Sequence, residues 1–335
     1  MTQWFIKDSH PETMAPLSDL RATFEQRTGG FTTLERLTKQ FGTPPSGFIC
    51  DCDQRSAMIT QRTGLTRVTD EQETATSHPS ITTPWEILDH LPTLLADDLE
   101  QSVLLDGVFD ASRFGDHRID IHPLATLFPG VVLDASLGPI RIEEYAVIRP
   151  NVVLCGPCWI GKESTIIDGA LIKSNTSIGP SCKIGGEVGG TIFQGYSNKS
   201  HDGHLGDSVI GEWVNFGAGT TNSNLLNTYG EVVVLDLEGY RHRTGRQFVG
   251  CFVGDHVKFS ICTKIITGSM IGTGAMIATS VPATSPTPRF AWLTDGGSRI
   301  YRLEKFLKVA RVVMSRRGAE LHPTTEVVLR QLAVE

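Results

Sequence analysis

An aliphatic residue returns at every sixth position eight times in succession in the middle of the chain: Ile142, Ile148, Leu154, Ile160, Ile166, Ile172, Ile178 and Ile184. Four residues after each stands a small one: Ala146, Val152, Cys158, Ser164, Ala170, Thr176, Cys182 and Val188. A period of six fits neither the 3.6 of a helix nor the 2 of a flat strand. It suits a prism-shaped solenoid whose short strands turn a corner every six residues. Each rung then stacks its aliphatic side chain on the one below, and the small residue lets the backbone bend at the corner. Heptads are absent, so a coiled coil is excluded.

The rhythm breaks after Gly189 and returns as Ile210 and Phe216. It breaks again, then runs through Val253, Phe259, Ile265, Ile271 and Ile277. With three hexads closing one turn, these units amount to roughly five coils. The expected architecture is mainly β: a hexapeptide-repeat solenoid over residues 129–282, a small α/β domain over 1–128, and a Pro-rich joint with C-terminal helices over 283–335.

The 335 residues are 40% hydrophobic and 20% charged, the balance of a globular protein. A net charge of −7 and the lack of a long Lys/Arg run argue against a nucleic-acid partner. The start MTQWFIKDSH lacks the pattern of a secretory leader and no stretch is apolar enough for a membrane span, so a cytoplasmic location is expected. The cysteines number seven. Cys155 and Cys158 spell CxxC, but inside the hexad rhythm and without a second pair, which makes them structural, as Cys182 is. Cys50 and Cys52 have no nearby histidine to complete a site.

Helices are predicted from near Thr33 and from Pro84 onward. Arg21, Arg27 and Arg36 either hold a phosphate or form ion pairs, and the glycine-rich phosphate loop of a nucleotide-handling domain is not present. The prolines of SVPATSPTPRF end the rod. Ile300, Leu303, Phe306, Leu307, Ala310, Val313 and Met314 then recur at helical spacing, with a second short helix after Pro323.

A solenoid core is apolar and inert, so chemistry belongs where the repeat is interrupted. The first interruption carries Glu187, Lys199, His201, Asp202 and His204 on a glycine-rich backbone. An imidazole can take a proton from an attacking amine or hydroxyl near neutral pH, which makes His201 the candidate general base. Glu187 or Asp202 could orient it, and Lys199 could fix a phosphate or face water. The second interruption follows Asn215, Gly217, Ala218, Gly219, Asn222 and Asn224, where amides and bare backbone would let a cofactor lie close. A metal reading would need His201 and His204 joined by His256; a site without metal is expected.

At the segment KSHDGHLGDSVIGEWVNFGAGTTNSN the chain resembles the hexapeptide-repeat acyltransferases. Within them it is most similar to the C-terminal half of the bifunctional enzymes that acetylate glucosamine 1-phosphate and then make UDP-N-acetylglucosamine. The segments PLSDLRATFEQRTGG, TPWEIL, YSNKSHDG and RLEKFLKVARVVMSRRG also look like a group of sugar-nucleotidyltransferase-like relatives of those enzymes. The resemblance implies a left-handed parallel β-helix working as a trimer, with acetyl-CoA in the groove between neighbouring rods. It implies His201 as the base, Asn215 and Asn224 at acceptor or active-site positions, and Ala218 beside the acetyl-CoA. It also implies that the N-terminal part is a shortened nucleotidyltransferase-like domain.

The leading expectation is therefore an acyl-CoA-dependent acyltransferase acting on a sugar phosphate or nucleotide sugar. The alternatives are a sugar-1-phosphate nucleotidyltransferase, which would use Mg2+, and a non-catalytic sugar-nucleotide-binding trimer.

Overall fold

The computed structural model describes residues 3–69, 80–283 and 285–334. A parallel β-helix forms its body. One face is an eight-stranded sheet that begins at Ile119–Ile121 and ends at Ser269–Ile271; a second has six strands, from Ser112–Phe114 to His204–Gly206; a third has five, from Thr126–Leu127 to Asn198–Lys199. In the regular part each strand pairs in parallel with the residue eighteen positions on, as Cys158 with Thr176 and Thr165 with Lys183. Three hexads thus close one coil.

The eight aliphatics of the sequence pattern lie fully buried in one continuous core. Most of the small residues follow a corner residue at positive φ: Tyr145 precedes Ala146, Asn151 precedes Val152, Glu163 precedes Ser164 and Ser181 precedes Cys182. The left-handed backbone makes the corner, and the small side chain after it turns inward, since Ala146, Ser164 and Cys182 are wholly buried.

The rod is longer than the pattern suggested. Eight strands stack on one face where roughly five coils were expected. Its first coil begins at Ser112 rather than 129, because Ile121, Leu127 and Leu133 already keep the six-residue spacing before an extra turn at Ser136–Gly138 shifts the phase. At the other end Ala291–Thr294 pairs in parallel with Met276–Ala278, so the rod continues past the joint at 283. The first interruption is a tightened coil that never leaves the rod: Ile178 pairs with Phe193 and Ile184 with Lys199, steps of fifteen. The second does leave it, as a hairpin of Val233–Leu235 against Arg241–Arg243.

Among the described residues five α-helices flank the rod: α1 (Thr33–Phe41), α2 (Asp53–Thr63), α3 (Glu86–Gln101), α4 (Leu303–Ser315) and α5 (Pro323–Leu332). Ile300 falls outside α4, in a strand antiparallel to Ala291–Thr294. In the N-terminal part a two-stranded sheet pairs Phe5–Lys7 with Gly47–Ile49 in parallel. This part does not bury its core alone. Met14, Leu17 and the α3 residues Leu88, Leu91 and Leu95 pack on the outward side chains Trp159, Ile192, Val209, Phe252 and Met270 of the eight-stranded face. Trp4, Phe24, Phe48 and Ile59 share a core with Phe306 and Leu307 of α4 and Leu329 of α5. Both chain ends are folded back onto the rod.

The three N-terminal arginines have protein partners. Arg21 is buried and donates to Asp255 at 2.7 Å, Arg36 makes a two-pronged pair with Asp98, and Arg27 donates to the Gly30 carbonyl and faces Glu35. Of the two readings of these arginines, ion pairing is the one the structure contains.

Candidate functional site

The tightened coil explains how the site is built. Lys199 takes the core position that Ile184 holds one coil earlier, and its side chain is 1% exposed. A buried ammonium must be hydrogen-bonded. It donates to the carbonyls of Gly185 at 3.0 Å and His201 at 2.9 Å, and burial pushes its pKa down to about 8. Lys199 is therefore a strut that fixes the backbone of the His201 corner, and its ammonium does not face a ligand as a phosphate clamp would. Gly186 completes the corner at φ 71°, where a Cβ would meet the Lys199 ammonium at 2.9 Å.

His201 and Asp202 stand exposed at this corner. The next coil stacks directly on it. The Gly219 amide donates to the Asp202 carbonyl at 3.2 Å, and the Cys262 amide of the following coil donates to the Ala218 carbonyl at 2.7 Å. The juxtaposition of the Asn215–Gly219 segment with the His201 corner is thus present. Gly217 has a packing reason to be glycine, since a Cβ there would sit 2.4 Å from the Ser260 backbone. Asn215 is a rung residue, bridged to Asn198 on one side and Lys258 on the other.

Beyond the corner the chain runs into the strand His204–Gly206, and with it into an open groove of about 540 Å³ on the six-stranded face. Lys173, Asn175, His204, Asp207, Asn224 and Phe248 line it, with Gly189, Gly190 and Gly206 leaving bare backbone between them. Asn224 donates to Asp207 at 2.6 Å; burial raises the Asp207 pKa, against the pull of this bond. Asn222 is buried and braces the floor, accepting from the Gly206 amide and donating to the Gly206 carbonyl, both at 2.9 Å.

Glu187 adjoins the His201 corner through its backbone, its amide donating to the Gly203 carbonyl at 3.3 Å, while its carboxylate turns to Lys173. It pairs in register with His204, and its carboxylate takes a hydrogen bond from Lys173 at 2.5 Å that holds its pKa below the usual range, with His204 adding to the effect. Having one residue fewer than a regular coil between Val188 and Leu205 puts Glu187 opposite His204. The His204 Nδ1 lies 3.4 Å from the Asn222 carbonyl. A carbonyl only accepts, so Nδ1 is the donor in this contact. His204, Lys173 and Asp207 are the groove residues that sequence reasoning passed over as site residues; their signal was the register of strands three hexads apart. His256, the third imidazole of a metal reading, is buried between Trp213 and Phe306.

The buried cysteines behave as core residues: burial pushes the Cys182 and Cys251 thiols up to about 12 and raises Cys158 as well. Cys155 borders the groove, and both it and Cys158 are free thiols.

No protein-family model matches the sequence. Curated relatives do. A bifunctional sugar-1-phosphate nucleotidylyltransferase/acetyltransferase from Sulfurisphaera tokodaii is 39% identical over 142 residues, covering 42% of this chain and 35% of the relative. A bifunctional protein GlmU from Methanococcus vannielii is 32% identical over 143 residues, covering 43% and 28%. A bifunctional protein GlmU from Geotalea uraniireducens is 30% identical over 216 residues, covering 57% and 43%. The chain spans less than half the length of each of these relatives. Among solved structures, a mutant perosamine N-acetyltransferase from Caulobacter crescentus in complex with CoA and GDP-perosamine aligns over 90% of this chain and 97% of that one. The identity there is 10% and the TM-score 0.19, too loose a likeness to carry an argument. In sequence the chain resembles the bifunctional nucleotidyltransferase/acetyltransferases, and its fold is the mainly β solenoid with C-terminal helices that the hexads announced.

Proposed function

We propose that the protein is an acyl-CoA-dependent acyltransferase, with acetyl as the acyl group, acting on a sugar phosphate or nucleotide sugar. The observation that carries this reading is an exposed imidazole, His201, on a backbone corner braced by a buried lysine, three residues before His204 of a glycine-floored groove. Residue types fit a thioester donor laid along the rod: bare backbone at Gly189, Gly190 and Gly206 admits a close ligand, and Asn224 and Ser174 offer neutral hydrogen-bonding groups beside it. When bound, acetyl-CoA supplies the activated acyl carbon.

In this reading His201 removes the proton of the acceptor amine or hydroxyl as it attacks, and corner backbone amides receive the developing oxyanion. Lys199 acts through the corner it braces and is a positioning residue. Direct transfer leaves the free thiols without a catalytic task. The groove lies on the six-stranded face, which α3 does not cover, so a neighbouring rod in a trimer would complete it. The same reading places the enzyme in the cytoplasm. Nucleotidyl transfer by the N-terminal part is the weaker alternative, because Arg21 and Arg36 are already spent on Asp255 and Asp98.

The test is thiol release from acetyl-CoA with a panel of amino- and hydroxy-sugar phosphates and nucleotide sugars. Loss of the general base in His201→Ala lowers kcat by about 10²–10⁴. The melting temperature stays unchanged, since the side chain is exposed. Wild-type turnover in His201→Ala would overturn the reading. So would a wild-type protein that binds no acetyl-CoA, and light scattering that returns a single chain would remove the trimer.

A further inference from the structure

The tail helix α4 carries a pattern for which the acyl-transfer reading has no use. Its Phe306, Leu307 and Ala310 are buried, and Phe306 meets the corner residue His256 edge-on at 5.7 Å. Just past the helix, Arg317 turns inward to the Ser181 carbonyl and Asn198. The helix therefore lies along the edge where the eight-stranded and five-stranded faces meet. That edge is opposite the six-stranded face, so a neighbouring rod across the groove leaves α4 uncovered.

The other side of α4 is basic. Lys305, Lys308, Val309, Val312 and Arg316 follow one another at helical spacing and all are exposed, Val309 at 39% and Val312 at 56%. Arg302, just before the helix, is exposed too, as are Arg299 and Ile300 before it. The acidic residue of α4, Glu304, is engaged by Arg330 of α5, and Arg311 on the same flank pairs with Glu326. Among the described residues Arg299, Arg302, Lys305, Lys308 and Arg316 have no carboxylate partner. The chain as a whole has a net charge of −7, so these unpaired cations reverse the prevailing sign at one place.

We propose that the outward face of α4 docks the protein onto an anionic phospholipid bilayer, its cations meeting headgroup phosphates while Val309 and Val312 rest at the boundary with the acyl chains. Charge complementarity supplies the attraction. The valines choose among polyanions: a nucleic-acid backbone offers charge alone, whereas the headgroup boundary offers charge and an apolar layer together. Contact is made from the surface, since among the described residues no helix is long and apolar enough to cross a membrane. The negative remainder of the chain is repelled by the same bilayer, which fixes the side of the rod that faces it. Docking does not depend on the acyl-transfer reading.

The experiment is co-sedimentation of the full-length protein with vesicles of phosphatidylcholine, with and without an equal share of phosphatidylglycerol, at low salt. Binding is expected with the anionic vesicles only, and it should fade at about 0.5 M salt, where charges are screened within a few ångströms. A basic residue at an anionic surface accounts for about a fivefold change in partitioning, so Lys305→Gln with Lys308→Gln should weaken it about thirtyfold. Lys183→Gln with Lys264→Gln removes the same charge from exposed positions on the rod and should leave binding near the wild-type level. Val309→Ser with Val312→Ser should weaken it as well, and all these variants should melt as wild type does because the positions are exposed. His201→Ala should sediment like wild type, which keeps docking distinguishable from catalysis. No sedimentation with anionic vesicles, equal sedimentation with neutral ones, equal losses from the two lysine pairs, undiminished binding without the valines, or tighter binding to poly(U) RNA than to vesicles would each overturn the proposal.

Discussion

Two lysines show how strongly one position can depend on its rung. Lys199 and Lys258 both lie in the coil stack with their ammonium groups on backbone carbonyls, and burial lowers their pKa values to about 8 and about 7. In the unfolded chain both return toward the ordinary value near 10.5. Below about pH 7 each lysine is protonated in both states and adds no pH dependence. Above it the unfolded chain holds more protons than the folded one, so their contribution to stability rises with pH. The buried thiols work in the opposite sense: they stay protonated in the fold while unfolded thiols ionise near pH 9, so stability falls above that point. Between pH 7 and 9 urea midpoints should therefore increase, Lys258 alone contributing at most about 1.4 kcal/mol per pH unit. Lys258→Met should flatten that slope; an unchanged slope would mean that the lysine is not desolvated.

For the coil as a unit, the core column and the outer surface make different demands. Ile166 is wholly buried between Ile148 and Ile184, so Ile166→Ala should cost about 2–5 kcal/mol, read as a drop in the urea midpoint with unchanged slope. Lys183, on the next coil of the same sheet, faces outward, and Lys183→Ala should stay within about 0.5 kcal/mol. The column was readable because every buried position in it repeats at one spacing. The outward face was not, although Ile192, Val209 and Phe252 of one sheet are all apolar. Those positions are a whole coil or more apart, and the steps of seventeen between Ile192 and Val209 and of forty-three between Val209 and Phe252 hide them from any short window. The same irregular steps put His204 opposite Glu187, which is why His201 could be named from its motif and the groove beside it could not.

The molecule is held together by contacts that join its ends to its middle. Arg21 from the N-terminal segment pairs with Asp255 and Glu212 of the rod, where Arg62 holds the Glu212 pKa down to about 2. Arg317, just past α4, donates to the Ser181 carbonyl and to Asn198. Removing one partner of a buried ion pair strands the others, so Arg21→Met should cost about 3–5 kcal/mol, measured as a fall in melting temperature. Arg21→Met combined with Asp255→Asn should recover part of that loss. Equal melting of Arg21→Met and wild type would mean that the N-terminal segment is not anchored there.

The six-residue recurrence was enough to establish the solenoid and its buried column, because a repeating backbone presents the same small set of environments again and again, and the break in it pointed to the His201 segment. The extent of the rod, the covering of its eight-stranded face by the N-terminal part and the buried role of Lys199 required three-dimensional packing. These depend on residues far apart in the chain, such as Arg21 and Asp255 at a separation of 234, whose meeting is fixed by how many residues each coil happens to contain.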